Sequence, residues 1–392
     1  MSPGGGICTI PLPGGDGMHT PLKGTAPRTD HTVVPVRTRS GWRIGHRAEL
    51  DGLRGVAILV VLTSHLGSYG LSLPVHTLGS AGVEMFFALS GFLITSLLIE
   101  EYAERGRVDL RRFYWRRVRR LAPALLSMIV VVMIVLGASG HWDWLAVGAL
   151  TYSANWMEVT GYGLGSPLMH TWSLAIEEQF YLAWPLAFVA AAKWRHGPLV
   201  AATLAGTISL FLRFQYGGSR AYLGSDTQAA SLLVGCVLAI LAHRGLRPWR
   251  VPAWITGLAA LYMFAWALDY PRWGHDVLAP TVVPVVTAAI IWACCSTSGG
   301  ILASRCLRYV GARSYALYLW HLPMIWFLSR WVGNPVTGAL VGLGVSFVVA
   351  EASWRWIEQP FLLRQTPGRP TKAARGRRRW HAGSAPRFAH NG

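Results

Sequence analysis

The chain has 392 residues, of which 52% are hydrophobic and 14% charged, with a net charge of +18. A water-soluble domain of this length would carry roughly a quarter charged residues, so a soluble globular protein is excluded and an integral membrane protein is indicated. The positive charge does not mark a nucleic-acid binder, because the basic residues fall in the gaps between apolar runs, as they do in cytoplasmic loops.

Residues 1–47 are rich in Gly, Pro and Thr and read as a disordered, basic cytoplasmic tail. No apolar run there is long enough for a signal peptide. Arg37, Arg39, Arg43 and Arg47 close the tail, and Trp42 is placed for the interface. The apolar runs that follow predict an all-α integral membrane fold over 48–361. The expected spans are 52–70, 80–99, 121–138, 171–192, 198–215, 223–242, 253–270, 279–297, 314–331 and 335–353. Each approaches the ~20 residues needed to cross a bilayer, which gives about ten helices and puts both termini in the cytoplasm. Residues 362–392 read as a second disordered basic tail that touches anionic lipid.

Charge sets the orientation. Basic residues gather before the first span, in 100–120, at Lys193 and Arg195, at Arg244, Arg247 and Arg250, at Arg305, Arg308 and Arg313, and after Arg364. The opposite gaps hold only Arg213, Arg220, Arg272 and Arg330. The positive-inside rule makes the first set cytoplasmic. The segment 138–170 has no Lys or Arg and reads as an external loop; its weak apolar run from Trp144 to Trp156 dips toward the interface.

The cysteines (Cys8, Cys236, Cys294, Cys295 and Cys306) lack metal-ligand spacing, so neither a metal site nor a disulfide framework is expected. No Walker loop, HExxH or GxSxG elbow is present. Chemistry must come from scattered polar groups inside the membrane, where ionisable residues are costly and mark cavities or pathways. Arg54 and His65 bracket the apolar part of the first span. On an ideal helix they share one face, about 16 Å apart along the axis. His65 falls in the outer half, and Glu84, near the outer start of the second span, lies at a similar depth. That pairing suggests a base and its orienting carboxylate, against a purely structural helix–helix hydrogen bond.

Next, FYWRRVRRLAP places Arg116, Arg117, Arg119 and Arg120 on about one helical turn at the cytoplasmic side. Arg116–Arg119 and Arg117–Arg120 each share a face. Guanidinium forks suit phosphate oxygens, while topology-setting charge and lipid contact explain the cluster equally well. In HTWSLAIEEQFYLAWPL, His170 and Glu177 share a face, and Glu177 with Glu178 argues for a polar cavity. His321, beside Pro323 near mid-membrane, is a further cavity-lining candidate, with a structural role as the alternative. His170, Glu177 and His321 are thus candidate substrate-binding groups. Glu358 beside Arg355 reads as an interfacial ion pair.

Taken together, LDGLRGVAILVVLTSH, GVEMFFALSGFLIT, FYWRRVRRLAP, HTWSLAIEEQFYLAWP, YALYLWHLP and IEQPF occur in the order, and over most of the length 48–361, that makes the chain resemble the membrane-bound acyltransferase-3 family of bacterial O-acyltransferases. The resemblance implies transfer of an acyl group from acyl-CoA, a co-substrate with no permanently bound cofactor, to a hydroxyl. It implies that His65 is the catalytic histidine, that Arg54 is essential, and that Arg117 and Arg120 engage CoA phosphates, with Arg116 and Arg119 as a second register. It also implies a multi-pass protein of the bacterial plasma membrane. The acceptor would be a sugar, a cell-surface glycan or a macrolide-type natural product. The high-GC, actinobacterial look of the composition favours the macrolide branch. Some relatives append an extracytoplasmic SGNH domain, which is expected to be absent here. A covalent acyl-enzyme on Ser90 or Thr63 is an alternative route. A non-enzymatic transporter or flippase is the competing class, since ten spans with intramembrane His and Glu suit it too, although the halves show no repeat.

Overall fold

The computed structural model describes residues 44–45, 47–71, 78–246, 279–296 and 299–363. In chain order the helices are α1 (Ala48–Gly67), α2 (Leu78–Arg105), α3 (Leu110–Ala138), the short α4 (Leu145–Leu150) and α5 (Ala154–Val159), α6 (Thr171–Ala191), α7 (Gly197–Tyr216), the short α8 (Gly218–Leu223), α9 (Ser225–His243), α10 (Ala279–Ser296), α11 (Arg305–Ala312), α12 (Ser314–Trp331), α13 (Pro335–Ser353) and α14 (Gln359–Leu363). A π-turn over Trp354–Glu358 joins the last two. No strand occurs among the described residues.

Every expected span except 253–270 coincides with a helix. That segment lies outside the described residues, as do 1–43 and 364–392, where most of the two expected tails fall. Among the described residues, six helices are long and apolar enough to cross a membrane: Ala48–Gly67, Gly79–Arg105, Leu110–Ala138, Gly197–Tyr216, Ser225–His243 and Pro335–Phe361. α6 and α12 are of similar length but carry the polar groups of the site described below.

Side-chain exposure distinguishes the bilayer-facing surface from the core. On α3, Leu121, Leu125, Met128, Val132 and Leu136 form a buried stripe at helical spacing, while Val130 and Ile134 on the other side are exposed, Ile134 by 65%. α7 shows the same division, with Leu204, Ile208 and Phe211 outward and Ala202, Ser209 and Arg213 inward. A helix apolar on both its exposed and its buried side belongs in lipid. Between helices, small residues let backbones approach. A Cβ on Gly235 of α9 would meet the Ala88 carbonyl of α2 at 2.0 Å, and one on Gly311 of α11 would meet the Asp51 carbonyl of α1 at 1.8 Å.

With 28 residues, α2 is about 42 Å long, well beyond the ~30 Å hydrocarbon thickness. Its last turns carry Glu100, Glu101 and Arg105 past the apolar part. There the Ile44 amide donates to Glu100 at 2.8 Å, and His243 at the end of α9 lies 3.7 Å from the same carboxylate. The last residues of the expected 1–47 tail are therefore anchored: Ile44 is buried, because its side chain and its amide both find partners on the bundle.

Candidate active site

An open cavity of about 820 Å³ is lined by residues of α1, α2, α3, α6 and α12. At one end stand Arg54 of α1, Arg117 and Arg120 of α3, and Glu177, Glu178 and Tyr181 of α6; toward the other are Ser173 and Tyr318. The start of α3 is fixed by Asp109, whose carboxylate accepts the Arg112 amide at 2.9 Å. One turn further on, the i, i+3 spacing turns Arg117 and Arg120 to the cavity together. Arg117 donates to Glu178 at 3.0 Å, and its guanidinium lies 3.2 Å from the centroid of the Tyr181 ring. Arg54 and Arg120 form no ion pair among the described residues, and both keep accessible surface. Three guanidinium groups thus face two carboxylates, which leaves the wall net positive. Arg116 is turned away, 3.7 Å from Glu101, and Arg119 does not line the cavity. Of the two registers in FYWRRVRRLAP, the structure brings Arg117 and Arg120 to the site. Glu177 accepts short hydrogen bonds from the hydroxyls of Ser90 and Tyr181.

Next to Tyr318, outside the cavity lining, three histidines from three distant parts of the sequence come together. His65 of α1 and His321 of α12 have ring centroids 4.9 Å apart, and His170, at the N-cap of α6, lies 5.3 Å from His321. Backbone carbonyls assign the tautomers. His321 Nδ1 lies 2.7 Å from the Tyr318 carbonyl and 3.1 Å from that of Leu317, so it carries the proton, which leaves Nε2 as an acceptor. His65 Nδ1 lies 3.0 Å from the Val61 carbonyl and 3.4 Å from His321 Nε2. Its proton therefore sits on Nδ1, and its Nε2 presents a lone pair with no partner among the described residues. His170 Nε2 donates to the Leu319 carbonyl at 3.2 Å. Tyr318 joins this cluster to the cavity: its hydroxyl donates to the His170 carbonyl and lies 2.6 Å from Ser173 Oγ. His65 itself does not line the cavity; it is half-buried and touches His321, whose ring adjoins Tyr318.

Glu84 does not join His65. The two share a depth but not a direction. Gly82 is the point where α2 packs on α1, against Ala57 and Val61, and two residues on, a helix has turned by about 200°. Glu84 therefore falls on the face it shares with Ala88 and Gly91, which packs on α9. There it interacts electrostatically with Arg213, beside Gln228 and Ser231. Arg213, which the charge pattern assigns to an external gap, lies inside the bundle instead: it is 0% exposed and donates to Gln228 at 2.8 Å and Ser231 at 3.3 Å. α7 runs on to Tyr216, and with Phe211 and Phe214 facing out, Arg213 must face in. Of the expected contacts at the last span, Glu358 stands near Arg120, while Arg355 pairs with Glu351 at 2.5 Å.

Tyr318, Ser173 and Glu158 were not singled out in the sequence. Tyr318 is one turn before His321 in YALYLWHLP, and Ser173 one turn before Glu177, so helical phase offered a signal for both. Glu158, in the short α5, offered none. It is buried close enough to Tyr318 to act on it electrostatically, and burial lifts its carboxyl to about 8.

Residues 47–354 match the family Acyl_transf_3, described as an acyltransferase domain. YrhL of Bacillus subtilis, provisionally named a peptidoglycan O-acetyltransferase, is 35% identical over 347 residues, which is 79% of this chain and 54% of that protein. The peptidoglycan O-acetyltransferase OatA of Listeria monocytogenes is 31% identical over 79% of this chain and 55% of its own length. The O-acetyltransferase OatA of Staphylococcus aureus is 31% identical over 79% and 56%. The chain thus spans about half the length of the relatives it matches. No solved structure matches it.

Proposed function

The chain belongs to the acyltransferase-3 family of multi-pass membrane proteins, and from that premise we propose that it is an O-acyltransferase that moves an acyl group from acyl-CoA to a hydroxyl of a glycan. The observation that carries this reading is the cavity itself, with a net positive arginine wall at one end and a histidine cluster joined to the other through Tyr318.

Acyl-CoA enters from the arginine-rich end. Its phosphates meet Arg54 and Arg120, whose charges are unspent, while Arg117 is held by Glu178 and Tyr181. The thioester then reaches toward Ser173 and Tyr318. The Nε2 lone pair of His65 takes the proton of the acceptor hydroxyl as the oxygen attacks the thioester carbonyl. Collapse of the tetrahedral intermediate breaks the C–S bond, and the imidazolium returns the proton to the departing thiolate. His321 accepts from His65 Nδ1–H and fixes the ring. Acetyl is the group named for the relatives, and peptidoglycan the acceptor named for two of them; a sugar hydroxyl at the outer face is the corresponding acceptor here. A macrolide acceptor finds no support among these relatives, and neither does the transporter reading.

In proteoliposomes supplied with radiolabelled acetyl-CoA and glycan strands, the wild type is expected to form alkali-labile acetyl esters, and His65→Ala to lose at least a hundredfold in kcat. Full transfer by His65→Ala would sink the assignment. One contact favours a second route: Ser90 lines the cavity and donates to Glu177, as a hydroxyl nucleophile would to a base. Thr63, by contrast, gives its hydroxyl to the Leu59 carbonyl at 2.7 Å. An acyl-enzyme on Ser90 predicts a hydroxylamine-labile label that Ser90→Ala removes.

A further inference from the structure

A second concavity lies beside the histidine cluster, on the far side of it from the arginines. It is an open cleft of about 1190 Å³ between the end of α3, the segment 162–167 and the last turns of α12. Trp142, Tyr162, Trp326 and Trp331 line it together with Asp143 and Arg330. Trp142 and Trp331 are 64% and 65% exposed. The proposed transfer chemistry does not use these aromatics.

The cleft is built. Gly163 and Gly165 both have positive φ, which lets the segment fold back on itself. The Trp326 indole then pins it by donating to the Gly165 carbonyl at 2.6 Å. Asp143 accepts the Leu145 amide at 2.9 Å and the Ser166 hydroxyl at 2.5 Å, which anchors the opposite wall. Arg330 lies 3.7 Å over the Trp326 ring, and Trp331 stacks on Phe327 at 5.7 Å. Aromatic rings of a lipid belt look outward around the whole circumference. These converge on one cleft whose wall carries a carboxylate and a hydroxyl, groups that a lipid tail would have to desolvate.

A pyranose ring has the matching chemistry. Its C–H face is apolar and stacks on an aromatic ring, and its rim is a ring of hydroxyls that need donors and acceptors. The position matches as well. Pro167 lies three residues before His170, in the turn that leads into α6, and Trp326 follows His321 by about 7.5 Å of helix rise. A chain of sugars in this cleft brings a neighbouring ring to the histidines. We propose that Trp142, Tyr162 and Trp331, with Asp143 and Arg330, form the docking site for an extended glycan, the acceptor of the transfer. The identity of the bound chain as acceptor rests on the function proposed above; the glycan site itself does not.

The test uses the full chain in lipid nanodiscs and peptide-free peptidoglycan glycan strands as the probe, read by saturation-transfer NMR on the sugar protons. The wild type is expected to bind. Trp142→Ala and Trp331→Ala should each weaken binding at least tenfold, and Trp142→Phe and Trp331→Phe should restore it to within about threefold, with unchanged gel-filtration profiles. In the transfer assay the alanine variants should raise KM for the strands and leave KM for acetyl-CoA alone. Glycan binding without any acetyl transfer would retain this site and overturn the enzymatic reading. Absence of saturation transfer in the wild type, or undiminished binding in the Trp142→Ala/Trp331→Ala double variant, would overturn the site and return the tryptophans to the bilayer interface.

Discussion

Arg120 and Arg117 line the same cavity wall, but their surroundings differ, and so do the expected consequences of removing them. Arg117 holds Glu178, so Arg117→Gln strands a carboxylate and destabilises the protein as well as weakening donor binding. Arg120 makes no direct ion pair among the described residues, although the buried Glu358 stands near it. Arg120→Gln is therefore expected to raise KM for acyl-CoA by about tenfold, at the lower end of the 1.5–3 kcal/mol of a charge-assisted hydrogen bond, with a smaller loss of thermal stability than Arg117→Gln. An unchanged KM would remove phosphate docking from this wall. Glu158 gives the pH test. Its folded-state carboxyl titrates near 8, against 4.5 when unfolded. Between those values the folded state holds the extra proton, so the contribution of this group to stability is full below about pH 4.5 and declines as pH rises toward 8. Melting temperature over pH 5–8 should fall more steeply in the wild type than in Glu158→Gln; parallel curves would contradict the burial argument.

The register between helices decides what depth alone could not. Charge and apolar length made nearly every described span legible in the sequence, because the bilayer fixes how long a helix must be and where basic residues collect. Periodicity within one helix also put Arg117 with Arg120. It could not say which neighbour a face meets. Glu84 stood at the depth of His65, yet the Gly82 contact with α1 rotates it onto α9 and Arg213. The meeting of His65, His170 and His321 was equally hidden, since it needs three helices packed together. If Glu84 and Arg213 form a buried lock between α2 and α7, then Glu84→Leu and Arg213→Met should each cost about 3–5 kcal/mol, and the double variant should recover most of that loss. Chemical denaturation of the four proteins measures it, and additive losses would show that the two groups do not compensate each other. Close helix contact makes a parallel demand. Gly235→Val places side-chain atoms against the Ala88 backbone, and overpacking of this kind costs about 1–3 kcal/mol. The same substitution at Gly344, which a Cβ would leave in open space, should be neutral or slightly stabilising, because Val has a higher helix propensity than Gly.

Across the whole bundle the basic segments meet at one end. Gly311 of α11 touches the start of α1, and Ile44 and His243 both reach Glu100 at the end of α2. Arg244 donates to the Arg195 carbonyl at 2.8 Å, and Arg313 pairs with Glu351 just before the π-turn. These contacts come from loops that the charge pattern alone had assigned to one side, and the mouth formed by Arg54, Arg117 and Arg120 opens at that end. The orientation proposed from the positive-inside rule puts the cationic end in the cytoplasm, on the side of the proposed acyl-CoA donor, and turns the tryptophan cleft outward. Cys306 reports on this directly, because it is exposed on α11 while Cys236, Cys294 and Cys295 are buried. In a Cys8→Ser background, a membrane-impermeant maleimide should label Cys306 in inverted vesicles and not in intact cells. Adding Ser139→Cys at the end of α3 should place a second label with the opposite dependence. Labelling of Cys306 from outside would invert the molecule, and with it the direction proposed for acyl transfer from the arginines to the histidines.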